Sequence, residues 1–316
     1  MAKLTEKWII VILGPTGVGK TDLSIQISKI FPVEIISADS RQLYKYLDIG
    51  TAKPSESVLK MVPHHFINML NPDQYYSAGR FGRDARRKIE EIFERQKVPL
   101  VVGGSGLYVK ALMEGFFEGE LRNDNIRKSL QKRLEQEGSQ PLYQDLLKID
   151  EVTARRLHPH NGKQIMRALE VYLSTGELLS ELQKKKMPAP DFQSLKFGLL
   201  KERQQLYEGI DRRVDQMFAD GLLAEVARIL EMDYDKSMNS LNTVGYKEVI
   251  RYIEGKIDYE TCVNLIKRNS RRYAKRQLTW FRPEEDIRWY KIEKAEQFPG
   301  IASEIVELYI NKNLEK

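Results

Sequence analysis

The sequence predicts an α/β protein: a parallel sheet core flanked by helices and interrupted by an all-helical insertion. Three observations carry that prediction. The apolar run Trp8–Leu13 has strand length, ends at Gly14 and leads through a glycine-rich turn into the helical pattern of Leu23, Ile27 and Ile30. Further short apolar runs at 32–37, 98–102 and 192–200 alternate with helical patterns, the arrangement that builds a parallel sheet. Residues 118–193 are charged and helical in pattern and hold no strand-like run. They divide the chain of 316 residues into a core of residues 1–117 and 194–316 and an insertion of residues 118–193.

The first turn is the most informative stretch. Residues 14–21 read GPTGVGKT, the spacing G-x-x-x-x-G-K-T between a strand and a helix. Gly14, Gly17 and Gly19 let the backbone turn its N–H groups inward around phosphate oxygens, and the helix start adds the positive end of its dipole. Pro15, Thr16 and Val18 complete the loop. Lys20 sets its charge against phosphate, and the Thr21 hydroxyl is the expected ligand of a Mg²⁺ ion. The core is therefore expected to be P-loop NTPase-like. The loop leaves open which phosphate compound is held and whether phosphate is transferred.

The second strand, 32–37, ends just before Asp39. Ligands of open parallel sheets bind beyond the carboxyl ends of the strands, so Asp39 belongs to the same edge as the phosphate loop. A carboxylate there also suits an N-cap of the next turn. Residues 45–75 read as irregular, with a short strand at 64–67. His64 and His65 read as packing or hydrogen-bonding groups, because no third metal ligand stands near them. Residues 77–95 are helical, with Phe81, Ala85, Ile89 and Ile92 on the buried face and five basic residues on a solvated one. The strand at 98–102 runs into GGSGLY at 103–108, a tight turn that opens another helix. It ends in glycines where an ATP hydrolase usually carries an acidic residue.

In the insertion, Ile165, Ala168, Leu169, Tyr172 and Leu173 form an amphipathic stripe with Gln164 and Arg167 beside it. After the strand at 192–200, a long helix starts at Arg203 and carries Arg212 and Arg213; a further helical run starts at 221–225, and residues 242–248 turn into another helix. The stretch 267–282 is the main basic element. Arg268, Arg271, Arg272, Lys275 and Thr279 share one helix face, Tyr273 and Trp280 another, and no acidic residue occurs between 261 and 283. Like charges at i, i+4 destabilise a lone helix, and a polyanion relieves that cost, so nucleic acid is the favoured partner of this face. An edge strand at 288–291 and a short helix from Pro299 end the chain.

Composition sets outer bounds. A net charge of +6 is only a weak sign of an acidic partner. The single Cys262 excludes an internal disulfide and a cysteine-rich zinc site and suits a reducing compartment. No run is long and apolar enough to span a membrane, and the N-terminal apolar run leads straight into the phosphate loop, unlike a signal peptide. A cytoplasmic monomer with no membrane association and no obligate protein partner is expected.

A phosphate loop, a carboxylate on the same edge and a basic helix admit three reactions: phosphoryl transfer by a small-molecule kinase, ATP hydrolysis coupled to nucleic acid, and alkyl transfer from a diphosphate ester. A nucleic-acid-binding protein without catalysis is the non-enzyme alternative. The motifs GPTGVGKT at 14–21, SADSRQLY at 37–44, GGSGLY at 103–108, RALEVY at 167–172, IDRRVDQM at 210–217, VGYKE at 244–248 and KRQLTWFR at 275–282 decide among them. Taken together and in this order, over almost the whole chain, they resemble the bacterial tRNA dimethylallyltransferases.

That resemblance implies transfer of a dimethylallyl group from dimethylallyl diphosphate to N6 of the adenosine on the 3′ side of the anticodon in tRNA. The tRNA anticodon stem-loop and the diphosphate ester are the implied partners, and Mg²⁺ the implied cofactor. Asp39, Thr16 and Arg213 are the implied catalytic residues, and residues 14–21 would hold the diphosphate. Asp39, Ser40, Arg41 and Gln42 would surround the flipped-out base. Ser105, Arg127, Lys163, Gln164, Ile165, Met166, Arg167, Thr243, Val244, Gly245, Tyr246 and Lys247 would contact tRNA. So would Arg268, Arg271, Arg272, Lys275, Arg276, Gln277, Leu278, Thr279, Trp280, Phe281 and Arg282. The chain departs from the family pattern in three places. Gly17 stands for the usual Ala, which is expected to loosen the loop; Ser105 stands for Thr; and residues 158–164 differ from the commoner His-Pro-Asn-Asp pattern.

Overall fold

A computed structural model describes residues 7–116, 123–185 and 188–314. In chain order the elements are β1 (Trp8–Leu13), α1 (Lys20–Ile30), β2 (Val33–Ala38), α2 (Glu56–Met61), β3 (His64–His65), α3 (Ala78–Glu94), β4 (Val98–Gly103) and α4 (Gly106–Glu114). Five helices follow: α5 (Asp124–Glu137), α6 (Ser139–Ile149), α7 (Glu151–Arg156), α8 (Gly162–Thr175) and α9 (Leu179–Leu182). Then come β5 (Gln193–Leu200), α10 (Arg203–Ala219), α11 (Leu222–Glu231), α12 (Tyr246–Ile253), α13 (Tyr259–Phe281), β6 (Ile287–Lys291) and α14 (Phe298–Leu314).

The chain forms two compact units. One holds residues up to Tyr76, Arg80–Leu112 and those from Pro190 onward; the other holds Ser77–Gly79 and Met113–Ala189. The expected boundary at 117–118 lies outside the described residues.

In the larger unit six parallel strands form one sheet in the order β3-β2-β4-β1-β5-β6. β1 and β2 are buried almost throughout because helices cover both faces of a parallel sheet. Register fixes where the chain leaves the sheet. Leu13 is level with Gly103 on one side and Gly198 on the other, and Ala38 is level with Gly103. The phosphate loop, Asp39 and the turn at Gly104 therefore leave the sheet side by side.

Two expectations are corrected. The strand expected at 64–67 stops after His65, because Phe66 and Asn68 take positive φ (65° and 54°) and turn the chain out of line. His65 and Arg95 both bond to the buried Glu34 carboxylate, at 2.7 Å from Nε2 and 2.7 Å from Nη2 respectively. The tail is not a short helix: α14 runs for 17 residues, and its Ile301, Ala302, Ile305, Val306 and Tyr309 join Leu23 and Ile27 in the main core.

The helical unit has its own core, in which Leu130, Leu142, Leu146, Ala154, Ile165 and Leu169 are buried together. The N-caps of α5 and α7 are made by Asn123 and Asp150 through their side chains.

The longest loop of the larger unit, between β2 and α2, is pinned by buried charge. The Glu225 carboxylate of α11 accepts the N–H groups of Asp48 (3.1 Å), Ile49 (2.8 Å) and Gly50 (3.2 Å) and the Tyr246 hydroxyl (2.5 Å). Lys53 donates to the Tyr44 carbonyl (2.8 Å), Asp48 (2.5 Å) and Asn68 (2.5 Å). Replacing Glu225 by Ala strands three backbone donors and a phenol. Glu225→Ala is expected to cost about 3 kcal/mol in urea unfolding, several times the effect of an exposed Glu231→Ala control.

Candidate active site

A cavity of about 710 Å³ opens where β1, β2 and β4 end. Its floor is the phosphate loop, with Thr16, Gly17, Gly19, Lys20 and Thr21 on the wall. Gly14, Pro15 and Val18 are buried beneath it. Gly19 caps α1 with no side-chain bond to the helix, so the first N–H groups of α1 face the cavity side without a capping group. Gly17 has φ +79°, a conformation that strains any residue with a Cβ. Glycine here suits the loop's own path.

Lys20 lies folded onto its own loop and donates to the carbonyls of Gly14 (2.9 Å) and Pro15 (2.8 Å). Burial pushes its ammonium down from the ordinary 10.5 to about 8; Asp39 opposes the shift and Arg213 adds to it. Burial likewise lowers the pKa of the Arg213 guanidinium, against the pull of Asp39. Arg213 reaches in from α10, donating to Thr16 Oγ1 (3.1 Å) and to the Ala52 carbonyl (3.4 Å). The three expected catalytic residues, Asp39, Thr16 and Arg213, thus line one cavity.

Asp39 serves its local turn as well. Its Oδ1 accepts the N–H of Arg41 (2.8 Å) and of Gln42 (3.4 Å). Its Oδ2 has no hydrogen-bonding partner among the described residues. Ser40, Arg41 and Gln42 line the same cavity, but two of them are already engaged. Arg41 donates to the Asn239 carbonyl (2.7 Å), and Gln42 Nε2 to the carbonyls of Thr51 (3.3 Å) and Ala52 (3.2 Å). Thr243, Val244, Gly245 and Lys247 form a further wall. Tyr246 between them is fully buried, which confines any outward contact at that position to its backbone.

Helix α13 divides the basic stretch three ways. Arg276 and Tyr273 reach the cavity, and the guanidinium lies over the ring at 5.7 Å. Arg268, Arg272, Lys275, Thr279, Trp280 and Arg282 are exposed. Lys267 and Arg271 are not open cations: they pair with Asp215 (2.6 Å) and Asp211 (2.5 Å) of α10. The stretch 261–283 holds no acidic residue of its own; these partners come from a helix some fifty to sixty residues earlier in the sequence. Phe281 and Gln277 are buried, and Leu278 packs partly against the main core. Gln277 reaches the loop: its Oε1 accepts the Thr16 N–H (2.8 Å) and its Nε2 donates to the Gly104 carbonyl (3.0 Å). Ser105, just past that turn, is half-buried and outside the cavity.

The remaining expected residues lie in the helical unit. Lys163 and Gln164 are exposed at the start of α8, and Ile165 and Met166 are sealed in that unit's core. Arg167 and Arg127 converge on the buried Glu170 carboxylate, at 3.1 Å and 3.5 Å.

Several cavity residues had no signal in the sequence reading. The loop Gly50–Pro54 reads as irregular, yet Gln42 and Glu225 fold it over the site. Tyr273 carried a weak signal as an aromatic residue among cations. Burial, with Asp39 adding to it, raises the pKa of its hydroxyl, which keeps it a neutral donor. Phe298 carried none; its ring packs on Gly19, so closely that a Cβ there would lie 2.3 Å away.

Comparison with known proteins places this architecture. The family model for IPP transferase matches residues 42–284, and that for isopentenyl transferase matches residues 7–73. The chain is 48% identical over 282 residues to the tRNA dimethylallyltransferase of Thermotoga neapolitana, covering 89% of this chain and 92% of that one. It resembles the crystal structure of the full-length tRNA isopentenylpyrophosphate transferase from Bacillus halodurans, with a TM-score of 0.71, 37% identity and coverage of 98% and 99% of the two chains. A eukaryotic dimethylallyltransferase captured acting on tRNA matches with a TM-score of 0.78 and 30% identity, over 95% of this chain and 78% of that one. The chain belongs to the IPP transferase family, the family of the tRNA dimethylallyltransferases.

Proposed function

We propose that this protein transfers a dimethylallyl group from dimethylallyl diphosphate to N6 of the adenosine on the 3′ side of the anticodon in tRNA, releasing diphosphate. The observation that carries the reading is the single cavity in which the phosphate loop, Arg213 and Asp39 meet. Adenine N6 attacks the allylic carbon; a C–N bond forms and the C–O bond to diphosphate breaks. N6 gains positive charge as it does so, and the Asp39 carboxylate takes its proton. The leaving diphosphate gathers negative charge, which the loop N–H groups, Lys20 and Arg213 stabilise. Thr16, gripped by Arg213, holds that guanidinium toward the loop.

Among the described residues no group of three or more His, Cys, Asp and Glu converges on one point. A Mg²⁺ ion shared with substrate phosphates needs no such cage, and the exposed Thr21 hydroxyl fits the role of its protein ligand. Such an ion would add positive charge at the leaving group. A kinase reading is not favoured: it explains the loop but leaves Asp39 and the basic surface without a task.

On this reading α13 presents Arg268, Arg272, Lys275 and Arg276 to the RNA backbone, and the helical unit adds Arg127, Lys163, Gln164 and Arg167. The protein works as a monomer in the cytosol; no helix among the described residues is long and apolar enough to cross a membrane.

The direct test mixes the protein with labelled dimethylallyl diphosphate, Mg²⁺ and tRNA lacking the modification. Absence of label in tRNA, beside brisk ATP turnover with a small hydroxylated acceptor, would sink the proposal. Asp39→Ala is expected to keep most tRNA affinity while the single-turnover rate falls about 10²-fold or more.

Lys20 gives a pH signature. Because its pKa is about 8 in the folded protein, a bound diphosphate that keeps it charged makes the site take up a proton above that pH. Diphosphate affinity should then fall by about tenfold per pH unit above 8. The sign for stability is opposite. Between about 8 and 10.5 the unfolded chain holds a proton that the folded one lacks, so this group's contribution rises with pH across that window. Calorimetry with inorganic diphosphate in buffers of different ionisation heat reads the uptake; none at pH 9 would count against Lys20.

Salt dependence tests the RNA face. Arg272→Ala and Lys275→Ala should each reduce the slope of log affinity against log salt by somewhat under one, about 0.7 to 0.9. Arg271→Ala should act mainly on stability, since its partner is Asp211.

A further inference from the structure

Thr16 is gripped from two sides, and one grip comes from the helix that bears the basic surface. We infer that Gln277 is a positioning residue of the diphosphate site: it fixes the phosphate loop through Thr16, and RNA contact is not its task. The inference deepens the proposed transfer reaction and rests on that reading for the identity of the anion.

A side-chain amide offers one acceptor and one donor group. Gln277 engages both with backbone: Oε1 accepts the Thr16 N–H at 2.8 Å and Nε2 donates to the Gly104 carbonyl at 3.0 Å, and its amide also bonds to the Tyr273 hydroxyl. The residue is only 5% exposed and sits one turn beyond the buried Ala274 and one before the buried Phe281, on the core side of α13. It therefore bridges the turns after β1 and β4, which leave the sheet level with one another. Thr16 is also the residue that receives Arg213 on its hydroxyl. With its N–H fixed by α13 and its Oγ1 fixed by α10, Thr16 has little freedom left. The glycines around it would otherwise leave this loop to be ordered only on binding. Fixing the loop beforehand strengthens anion binding without touching the anion.

Gly104 supplies an independent handle. A Cβ at residue 104 would lie 2.1 Å from Gln277 Nε2, the far end of a flexible side chain. Gly104 has no positive φ, so Gly104→Ala mainly displaces the amide; its Cβ also comes within 3.2 Å of the Gly14 carbonyl, a direct pressure on the loop that the Gln277→Ala/Gly104→Ala pair measures by itself. The experiment measures two dissociation constants at one salt concentration, inorganic diphosphate by calorimetry and unmodified tRNA by filter binding. It compares the intact protein with Gln277→Leu, Gly104→Ala, Gln277→Ala and the Gln277→Ala/Gly104→Ala pair. Diphosphate affinity is expected to drop about tenfold in Gln277→Leu and to fall in Gly104→Ala, with tRNA affinity within about twofold of the parent. Adding Gly104→Ala to Gln277→Ala should cost little further, because no amide remains to displace.

A weakened tRNA complex with unchanged diphosphate binding overturns the inference, as do strictly additive losses in the double variant. Should Gln277→Leu fail to fold, Gly104→Ala alone decides. A parent protein that binds diphosphate but leaves tRNA unlabelled defeats the reaction reading and not this one.

Discussion

Two cations held side by side out of bulk water set the terms for the rest of the core. Burial lowers the pKa of both the Lys20 ammonium and the Arg213 guanidinium, and the Arg213 charge lowers that of Lys20 further. Against them stand the carboxylate of Asp39, that of Asp22 toward Arg213, and the carbonyls of Gly14, Pro15 and Ala52. Such a grouping is costly in a protein interior. A diphosphate is its electrostatic complement. The arrangement is useful only if it does not relax, because a loop free to move would turn its carbonyls and cations into a solvated, low-energy state.

The rest of the fold can be read as resistance to that relaxation. The sheet brings three chain segments out level with one another, since Leu13, Gly103 and Ala38 share one register. Helices α10 and α13 then hold Thr16 from two directions. They are themselves tied by the Asp211–Arg271 and Asp215–Lys267 pairs. The loop at 48–53, which lends the Ala52 carbonyl to Arg213, is anchored by the buried Glu225 and Lys53. Each of these polar groups is partnered, and Glu225 and Gln277 are buried as well; satisfied partners are the condition for a polar network to stiffen a site rather than weaken it.

The phosphate loop, the parallel sheet and the carboxylate on its edge were legible in the sequence because each rests on local pattern. A strand of six apolar residues, a glycine spacing and a helical stripe are all read within a dozen positions. Asp39 was legible because strand ends in parallel sheets converge by rule. What stayed hidden is what depends on long-range pairing. Gln277 looked like one more polar residue in a basic run, and only its 5% exposure and its bond to Thr16, 261 residues away, reveal its place. Arg271 looked open because Asp211 lies sixty positions earlier. Met166 fell inside a run of residues expected to contact RNA and off the amphipathic stripe that marked Ile165, yet both are buried in the helical core. Phe298 has no local mark at all.

The charge on α13 therefore has to be counted by face and not by composition. At 100° per residue, Ala274, Gln277 and Phe281 fall on one side, and all three are buried. Lys267 and Arg271, four apart, fall on the flank that meets the carboxylates of α10. Arg268, Arg272 and Lys275 are left on the outer arc, with Arg276 at its edge beside the cavity. Pairing two of the six cations at 267–276 relieves part of the like-charge repulsion that makes so basic a helix unstable alone. An RNA backbone meeting that arc encounters fewer cations than the sequence contains. The acid-paired flank ties α13 to α10, the two helices that hold Thr16, and the buried side of α13 carries the Gln277 amide to the loop while its outer arc carries the remaining cations.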